Sequence, residues 1–312
     1  MKLINKTNID FLSAGRRKIA LTVSALLVII SLVSLATRGL EFGIDFTGGI
    51  LLEVGYPQAA DLDQIRSNLA ASGFTDAQVQ EFGSNDDVLV RLPPQELKDA
   101  TAVREQLQRT LQAGGEKIDL RRIENVSAQV GTELAERGAL ALVVALMLIF
   151  FYVMIRFQWK FSAGAVAALA HDAIVTVGFF SIFGLPFDLT VVAALLAVIG
   201  YSLNDTVVAF DRIRENFFAL RGVSAEEAMN ISINEMLART LITGLTTLLV
   251  LIALLALGGE SIAPFSIALI VGIVVGTYSS IYTASATALV LNVNAQDLIE
   301  PVKDPSLIDD LP

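Results

Sequence analysis

A few titratable residues sit inside runs so apolar that charge there calls for a cause. Asp205 lies in Gly200-Tyr201-Ser202-Leu203-Asn204-Asp205-Thr206-Val207-Val208-Ala209-Phe210, His171-Asp172 lies between Ala168-Leu169-Ala170 and Ala173-Ile174-Val175, and Arg239 opens a further run. A charge at the centre of a membrane span costs roughly 2.5–3.5 kcal/mol on insertion scales, so each such group needs a partner, a water path or a task. The task open to these residue types is proton transfer. A carboxylate that gains a proton releases a neighbouring cation, and one that loses the proton regains it, so titration of Asp205 opposite Arg239 would change helix packing. Asp205 and Arg239 are the candidate proton-coupling pair, at similar depth on antiparallel neighbours, with Asp205 about a turn and a half from the cytoplasmic end of its span. The other reading of Arg239 is a side chain that snorkels to the headgroups. His171 and Asp172 also have two readings: a relay, because imidazole titrates near neutrality, or a polar contact that holds helices together.

The elements that must position these residues are membrane spans. Of 312 residues, 54% are hydrophobic and 17% charged, and the mean hydropathy is +0.63, a composition outside the range of ordinary soluble domains. Cysteine is absent and histidine occurs once, which removes disulfides, thiol nucleophiles and most zinc chemistry. A net charge of −10 argues against a nucleic-acid partner. No Gly-rich phosphate loop ending in Gly-Lys-Ser/Thr occurs, so ATP is not the expected energy source. No cofactor, metal or catalytic residue is expected.

A basic head at 1–18 (Lys2, Lys6, Arg16, Arg17, Lys18) precedes an apolar run, and the first span is placed at 19–38 as an uncleaved anchor. Five more spans are expected at about 138–155, 161–184, 187–210, 240–258 and 262–290, within a membrane region of 137–292. Lys and Arg collect in the head, at 156–160 and at 211–239, so the positive-inside rule puts both termini in the cytoplasm. The loop at 211–238 begins a helix signature at Ser224-Ala225-Glu226-Glu227 and is expected to carry a short amphipathic helix along the cytoplasmic face. Trp159 reads as an interfacial anchor, Gly272 and Gly276 as helix-packing positions, and 293–312 as an acidic tail without a packed core.

Residues 39–136 are charged and patterned as a folded domain on the far side. Strands are expected at 50–56, 76–82, 88–92 and 118–126, and helices at 62–72 and 95–113. The order β-α-β-β-α-β is the ferredoxin-like pattern. The fold class is therefore a polytopic α-helical membrane protein of six spans with one α+β ferredoxin-like extracytoplasmic domain.

Just after the first span, Phe42-Gly43-Ile44-Asp45-Phe46-Thr47-Gly48-Gly49 reads as a turn entering the first strand, with Asp45 a capping or turn residue. This segment, with Gly43, Asp45, Gly48 and Gly49 as its marks, resembles the signature of the SecD/SecF family of the RND superfamily. The His171-Asp172 pair, the run from Gly200 to Asn216 and Ala238-Arg239-Thr240 are similar to segments of that family too, so the resemblance spans nearly the whole chain. It implies a multi-pass protein of the bacterial inner membrane that pairs with SecD into a twelve-span unit. It further implies that the unit uses the proton motive force to assist translocation through SecYEG, with SecA on the cytoplasmic side and an unfolded polypeptide in transit. YajC and YidC are neighbours the resemblance brings with it. Carried over by motif, the proton dependence falls on Asp205 and Arg239.

Three other readings compete. An RND-type transporter half exporting a small molecule shares the six spans and the intramembrane acid, although a single external domain of this size is small for a porter. An intramembrane aspartyl protease could draw on Asp172 and Asp205, but a cation beside one acid disturbs the shared proton that a dyad needs. A scaffold would use the buried charges only to specify packing.

Overall fold

The computed structural model describes residues 8–93, 100–112, 118–220, 222–259 and 262–294. The expected acidic tail, residues 1–7 of the basic head and the first turn of the expected 95–113 helix lie outside the described residues.

Among the described residues, six helices are long and apolar enough to cross a membrane. The first is α1 (Ala14–Thr37), and after the sheet domain come α5 (Ala128–Arg156), α6 (Trp159–Phe183), α7 (Leu189–Ala219) and α8 (Ala225–Leu257). The last span is broken into α9 (Ala263–Ser279), a π turn (Ser280–Ala284) and α10 (Ser285–Val290). Each start has a local cause. Ser127, Asp188 and Ser224 occupy the N-caps of α5, α7 and α8, where their side chains accept from Val130, Val191 and Glu227 N–H. Gly184 ends α6 in the left-handed conformation.

The expected 211–238 loop with its own short helix does not form. Instead α7 runs on to Ala219 and α8 begins at Ala225 as one continuous helix, so the connection shrinks to 220–224. The Ser224 cap is where the sequence placed it, but nothing between Glu226 and Arg239 stops the helix. Ion pairs Arg212–Glu235, Arg212–Glu215 and Arg156–Asp211, all at 2.6 Å, supply the polar surroundings of these extensions. Asp205 sits 14 residues before the end of α7, about 21 Å at 1.5 Å per residue, because the helix runs on past the apolar stretch that ends at Phe210.

Half of the apolar window in α6 and in α7 is buried, against 6% in α5 and 17% in α8, so α6 and α7 form the centre of the bundle. Small residues let the helices close in. A Cβ on Gly178 would lie 2.2 Å from Ser31 Cβ in α1, and one on Gly272 would lie 2.2 Å from Val198 Cγ2 in α7. At the end bearing the charged connection, Phe161 stacks edge-on against Phe210 at 4.8 Å in a core shared with Phe157, Met229 and Ile233. Residues before α1 are held there by two asparagines one turn apart on α8: Asn234 Oδ1 accepts Ile9 N–H at 2.8 Å and Asn230 Oδ1 accepts Phe11 N–H at 2.7 Å.

Between α1 and α5, β2 (Gly49–Gly55), α3 (Leu62–Ala71), β3 (Gln78–Phe82), β4 (Ser84–Leu92), α4 (Ala100–Leu111) and β5 (Asp119–Val126) give the expected β-α-β-β-α-β order. The strands pair antiparallel in the order β3-β4-β2-β5, which is ferredoxin-like. Alternation fixes the faces. Ile50, Leu52 and Val54 of β2 join Val88, Val90, Ile65, Leu69 and Leu107 in a core under the two helices, while Leu51, Glu53, Leu89 and Arg91 line a cleft of about 470 Å³ that faces the membrane helices.

Gly178→Val should separate α1 from α6, because its Cβ would also fall 2.8 Å from Ser31 Cα, a backbone atom that cannot rotate away. Overpacking of this kind costs about 1–3 kcal/mol or more, and a lowered midpoint of thermal unfolding in detergent is the expected result. Gly200→Ala, where a Cβ meets nothing within 4 Å, should leave the midpoint unchanged or raise it.

Candidate functional site

Three of the four titratable residues predicted from the sequence, His171, Asp172 and Asp205, are buried on α6 and α7, and serine and threonine hydroxyls complete the site, while Arg239 lies on α8. Asp172, at the middle of α6, is fully buried. Its Oδ2 accepts from Ser202 Oγ of α7 at 2.6 Å and from Ser279 Oγ of α9 at 2.8 Å, and its Oδ1 lies 3.1 Å from His171 Nδ1. The contacts continue along α7, where Ser280 Oγ donates to the Ser202 carbonyl at 3.3 Å and shares a hydrogen bond with Thr206 Oγ1 at 3.0 Å. Ser279 closes α9 and Ser280 opens the π turn, so the break in the last span falls where its hydroxyls meet α6 and α7. The backbone distortion and the polar contacts coincide. Gly276, one turn earlier, would put a Cβ 3.1 Å from Ser202 Oγ and 3.4 Å from Asp172 Oδ2, so its missing side chain admits the cluster.

His171 is also buried, with its ring 6.3 Å from that of Tyr278 and no hydrogen-bond partner at Nε2. Tyr278 donates to the Ala20 carbonyl at 2.8 Å, and Ser24 and Thr283 share a bond at 3.0 Å. These contacts bring α1 into the same polar layer.

Asp205 occupies the opposite situation. It is 6% exposed, it sits between Ser202 and Thr206 in sequence, and its Oδ2 has no hydrogen-bond partner. Arg239 does not touch it: among the described residues no ion pair within 4.0 Å joins the two. The guanidinium is exposed in the isolated chain and lines an open cavity of about 350 Å³ with Val208, Asp211, Arg212, Glu215, Glu235 and Met236. In place of the expected direct pair there is a buried acid on α7 and, toward the charged connection, an open cavity of mixed charge that Arg239 shares with Arg212, Asp211, Glu215 and Glu235.

The Gly-rich segment after α1 reaches the same helix from its other end. Residues 41–42 form β1 (Glu41–Phe42), a parallel bridge to β6 (Pro186–Phe187), and 44–47 form α2 (Ile44–Thr47). Asp45 is a capping residue, but the helix it caps is distant in sequence: its Oδ2 accepts Leu189 N–H, the first residue of α7, at 3.0 Å. Gly48 at φ 71° and Gly49 at φ 121° turn the chain from α2 into β2, and a Cβ on Gly49 would fall 2.2 Å from the Leu92 carbonyl oxygen. Gly43 N–H donates to the Phe187 carbonyl at 2.8 Å, with Asp188 Cβ 3.1 Å from where its own Cβ would stand.

Ser202, Ser279, Ser280 and Thr206 could have been suspected from hydroxyls recurring in apolar runs. Pairing them with Asp172 needed the fold. Because a serine hydroxyl can rotate to suit an amide, Asp172→Asn should fold with nearly unchanged thermal stability. Asp172→Leu should strand the Ser202 hydroxyl at about 1–3 kcal/mol, while Ser279 Oγ keeps the Gly276 carbonyl at 3.1 Å, and a lowered unfolding midpoint is the expected result.

Comparison with known proteins bears on the whole chain. Residues 106–294 match the family described as protein export membrane protein SecD/SecF, C-terminal, and residues 33–60 match the SecD/SecF GG motif. The chain is 48% identical over 299 residues to the protein translocase subunit SecF of Pseudomonas aeruginosa, covering 96% of each chain. It is 42% identical to that of Escherichia coli O157:H7, covering 90% of this chain and 88% of the relative. Among solved structures, the crystal structure of SecDF from Thermus thermophilus superposes with a TM-score of 0.83 at 37% identity over 92% of this chain. A structure of SecDF in a super-membrane-facing form gives 0.70 over 94%. This chain spans 39% of the former SecDF chain and 40% of the latter. With both family matches and relatives of this identity along nearly its full length, the chain belongs to the SecD/SecF family of protein-export membrane proteins.

Proposed function

We propose that this chain is the SecF-like half of a SecD–SecF assembly that uses a transmembrane proton gradient to help complete protein export, without itself being an enzyme. The observation that carries this reading is the isolation of Asp205. An ionised carboxylate in an apolar bundle is stable only with hydrogen bonds or a counter-charge, and Oδ2 of Asp205 has no partner at all. Its charge can be met in two ways: a proton on the carboxyl, or closer approach of Arg239. These are the two states of a coupled cycle. One proton crossing about 100 mV releases roughly 2.3 kcal/mol, enough to bias helix arrangements that differ by a few kcal/mol.

On this reading Asp205 takes the proton and Arg239, at the cavity, competes for the carboxylate. The adjacent Asp172 is already saturated by Ser202 and Ser279, which favours a holding role for it and for His171 over a relay. The protein would lie in the bacterial inner membrane with 1–18 and 293–312 cytoplasmic, spans at 19–38 and within 137–292, and the sheet domain at 39–136 in the periplasm, an orientation supported by the Arg and Lys at the ends of α1, α5 and α7. Its partners would be SecD and the SecYEG channel with SecA behind it, the unfolded chain in transit, protons, and YajC and YidC nearby.

Asp205→Asn keeps the shape and removes the titration. In membrane vesicles carrying the assembled complex, export completion by this variant should fall to the level seen without a gradient, while assembly is unaffected. Unchanged gradient dependence would remove Asp205 from the mechanism. For Arg239, the lysine variant should retain more of the gradient-driven rate than Arg239→Gln, since a mobile positive charge is what the cycle needs; equal rates for the two would assign Arg239 to headgroup anchoring.

A further inference from the structure

The signature after α1 touches the helix that carries Asp205, and nothing in the proton-coupling reading uses that contact. Three attachments meet within the nine residues from Glu41 to Gly49. Toward the membrane, Asp45 Oδ2 accepts Leu189 N–H at the start of α7, and the β1–β6 bridge pairs Glu41 with Pro186 and Phe42 with Phe187. Toward α5, a Cβ on Gly131 would lie 2.6 Å from the Phe46 carbonyl oxygen and 3.0 Å from Gly48 N, so α2 lies directly on the helix backbone. Toward the sheet, Gly49 begins β2, which pairs with β4 on one side and β5 on the other. Asp188 already caps α7 through Val191 N–H, so α7 does not require Asp45 in order to begin.

We infer that Asp45 is a positioning residue that ties the central strand of the sheet domain to α7, so that a shift of α7 caused by titration of Asp205 is carried to the sheet domain through the Asp45–Leu189 bond, without which the two-residue β1–β6 bridge does not hold the segment to α7. The inference rests on the proton-coupling reading of Asp205. An unbroken α7 joins the two sites: Asp205 is 16 residues from Leu189, about 24 Å along a single helix, so displacement at one end is displacement at the other. The segment it would pull is short, with Gly43, Ile44, Gly48 and Gly49 buried and Phe42 45% exposed. Phe46 and Phe187 stack at 5.9 Å, Phe42 meets Phe187 edge-on at 6.1 Å, and Gly49 has no room for a side chain. A well-packed link of this kind moves as a body rather than stretching.

The chain contains no cysteine, so a label pair can be placed cleanly at Asn85→Cys on the sheet domain and Phe183→Cys at the end of α6, in the full complex with its partner in a membrane. Spin-label distances are compared with and without Asp205→Asn as the protonated mimic. The parent should show a shift in the distance distribution between the two. The link is then cut from each side: Asp45→Ala removes the acceptor, and Leu189→Pro removes the donor at a first helical position that proline tolerates. Both should abolish the shift, whereas Asp45→Asn, which keeps an oxygen acceptor, should preserve it. A shift that survives in either folded cut variant overturns the link and leaves the role of Asp205 standing. No shift in the parent overturns the link as well, while the export assay on Asp205→Asn separately decides the proton-coupling reading.

Discussion

Burying a carboxylate among apolar helices is tolerable only where donors surround it, and Asp172 is where that requirement is met. Its two oxygens draw in Ser202 from α7, Ser279 from α9 and the neighbouring His171. Three helices must therefore meet at one depth and in one rotation. The rest of the bundle accommodates that point: Gly276 supplies the space, Gly272 lets α9 lie against Val198, and the π turn at 280–284 sets Ser279 and Ser280 toward α6 and α7. With α7 located in this way, the position of Asp205 follows. It lies three residues past Ser202 and one before Thr206, on a helix fixed on both sides of it, with nothing bonded to its Oδ2.

The contrast between the two acids organises the functional account. Asp172 Oδ2 accepts from two hydroxyls, whereas Oδ2 of Asp205 has no hydrogen-bond partner among the described residues. A buried carboxylate without donors needs a proton or a counter-charge. The cavity holding Arg239 is lined by residues of α7 and α8, and the ion pairs Arg212–Glu235 and Arg156–Asp211 keep that end polar. At its far end α7 meets Asp45 and the β1–β6 bridge. One helix thus carries the Ser202 contact to Asp172, the unpartnered Asp205 Oδ2 and the attachment of the sheet domain.

Much of this was legible in the chain. Hydropathy alone marks six spans, and the alternation of Ile50, Leu52 and Val54 against Leu51 and Glu53 marks the central strand with its buried and open faces. Asp205, Arg239, His171 and Asp172 stood out because charge in an apolar run is costly. The connection at 211–238 looks like a loop in the sequence because its polar residues mark the ends of the apolar runs, whereas α7 and α8 continue beyond the apolar length as helix flanked by ion pairs. The bond from Asp45 to Leu189 spans 144 residues and leaves no local pattern beyond an acid near glycines, which reads as a turn. The serine partners of Asp172 were likewise hidden, since a serine in a helix says nothing about the carboxylate it will face until the helices are packed.

The central claim is that Asp205, and not Asp172, exchanges the proton. Infrared difference spectra of the complex in membranes, recorded between acidic and alkaline medium, report a carboxyl group through its C=O stretch as it loses a proton. A titrating band that disappears in Asp205→Asn and persists in Asp172→Asn is the result this account predicts. A band that persists in Asp205→Asn and is lost in Asp172→Asn would contradict it, and would move proton exchange to the site here assigned to holding the helices together.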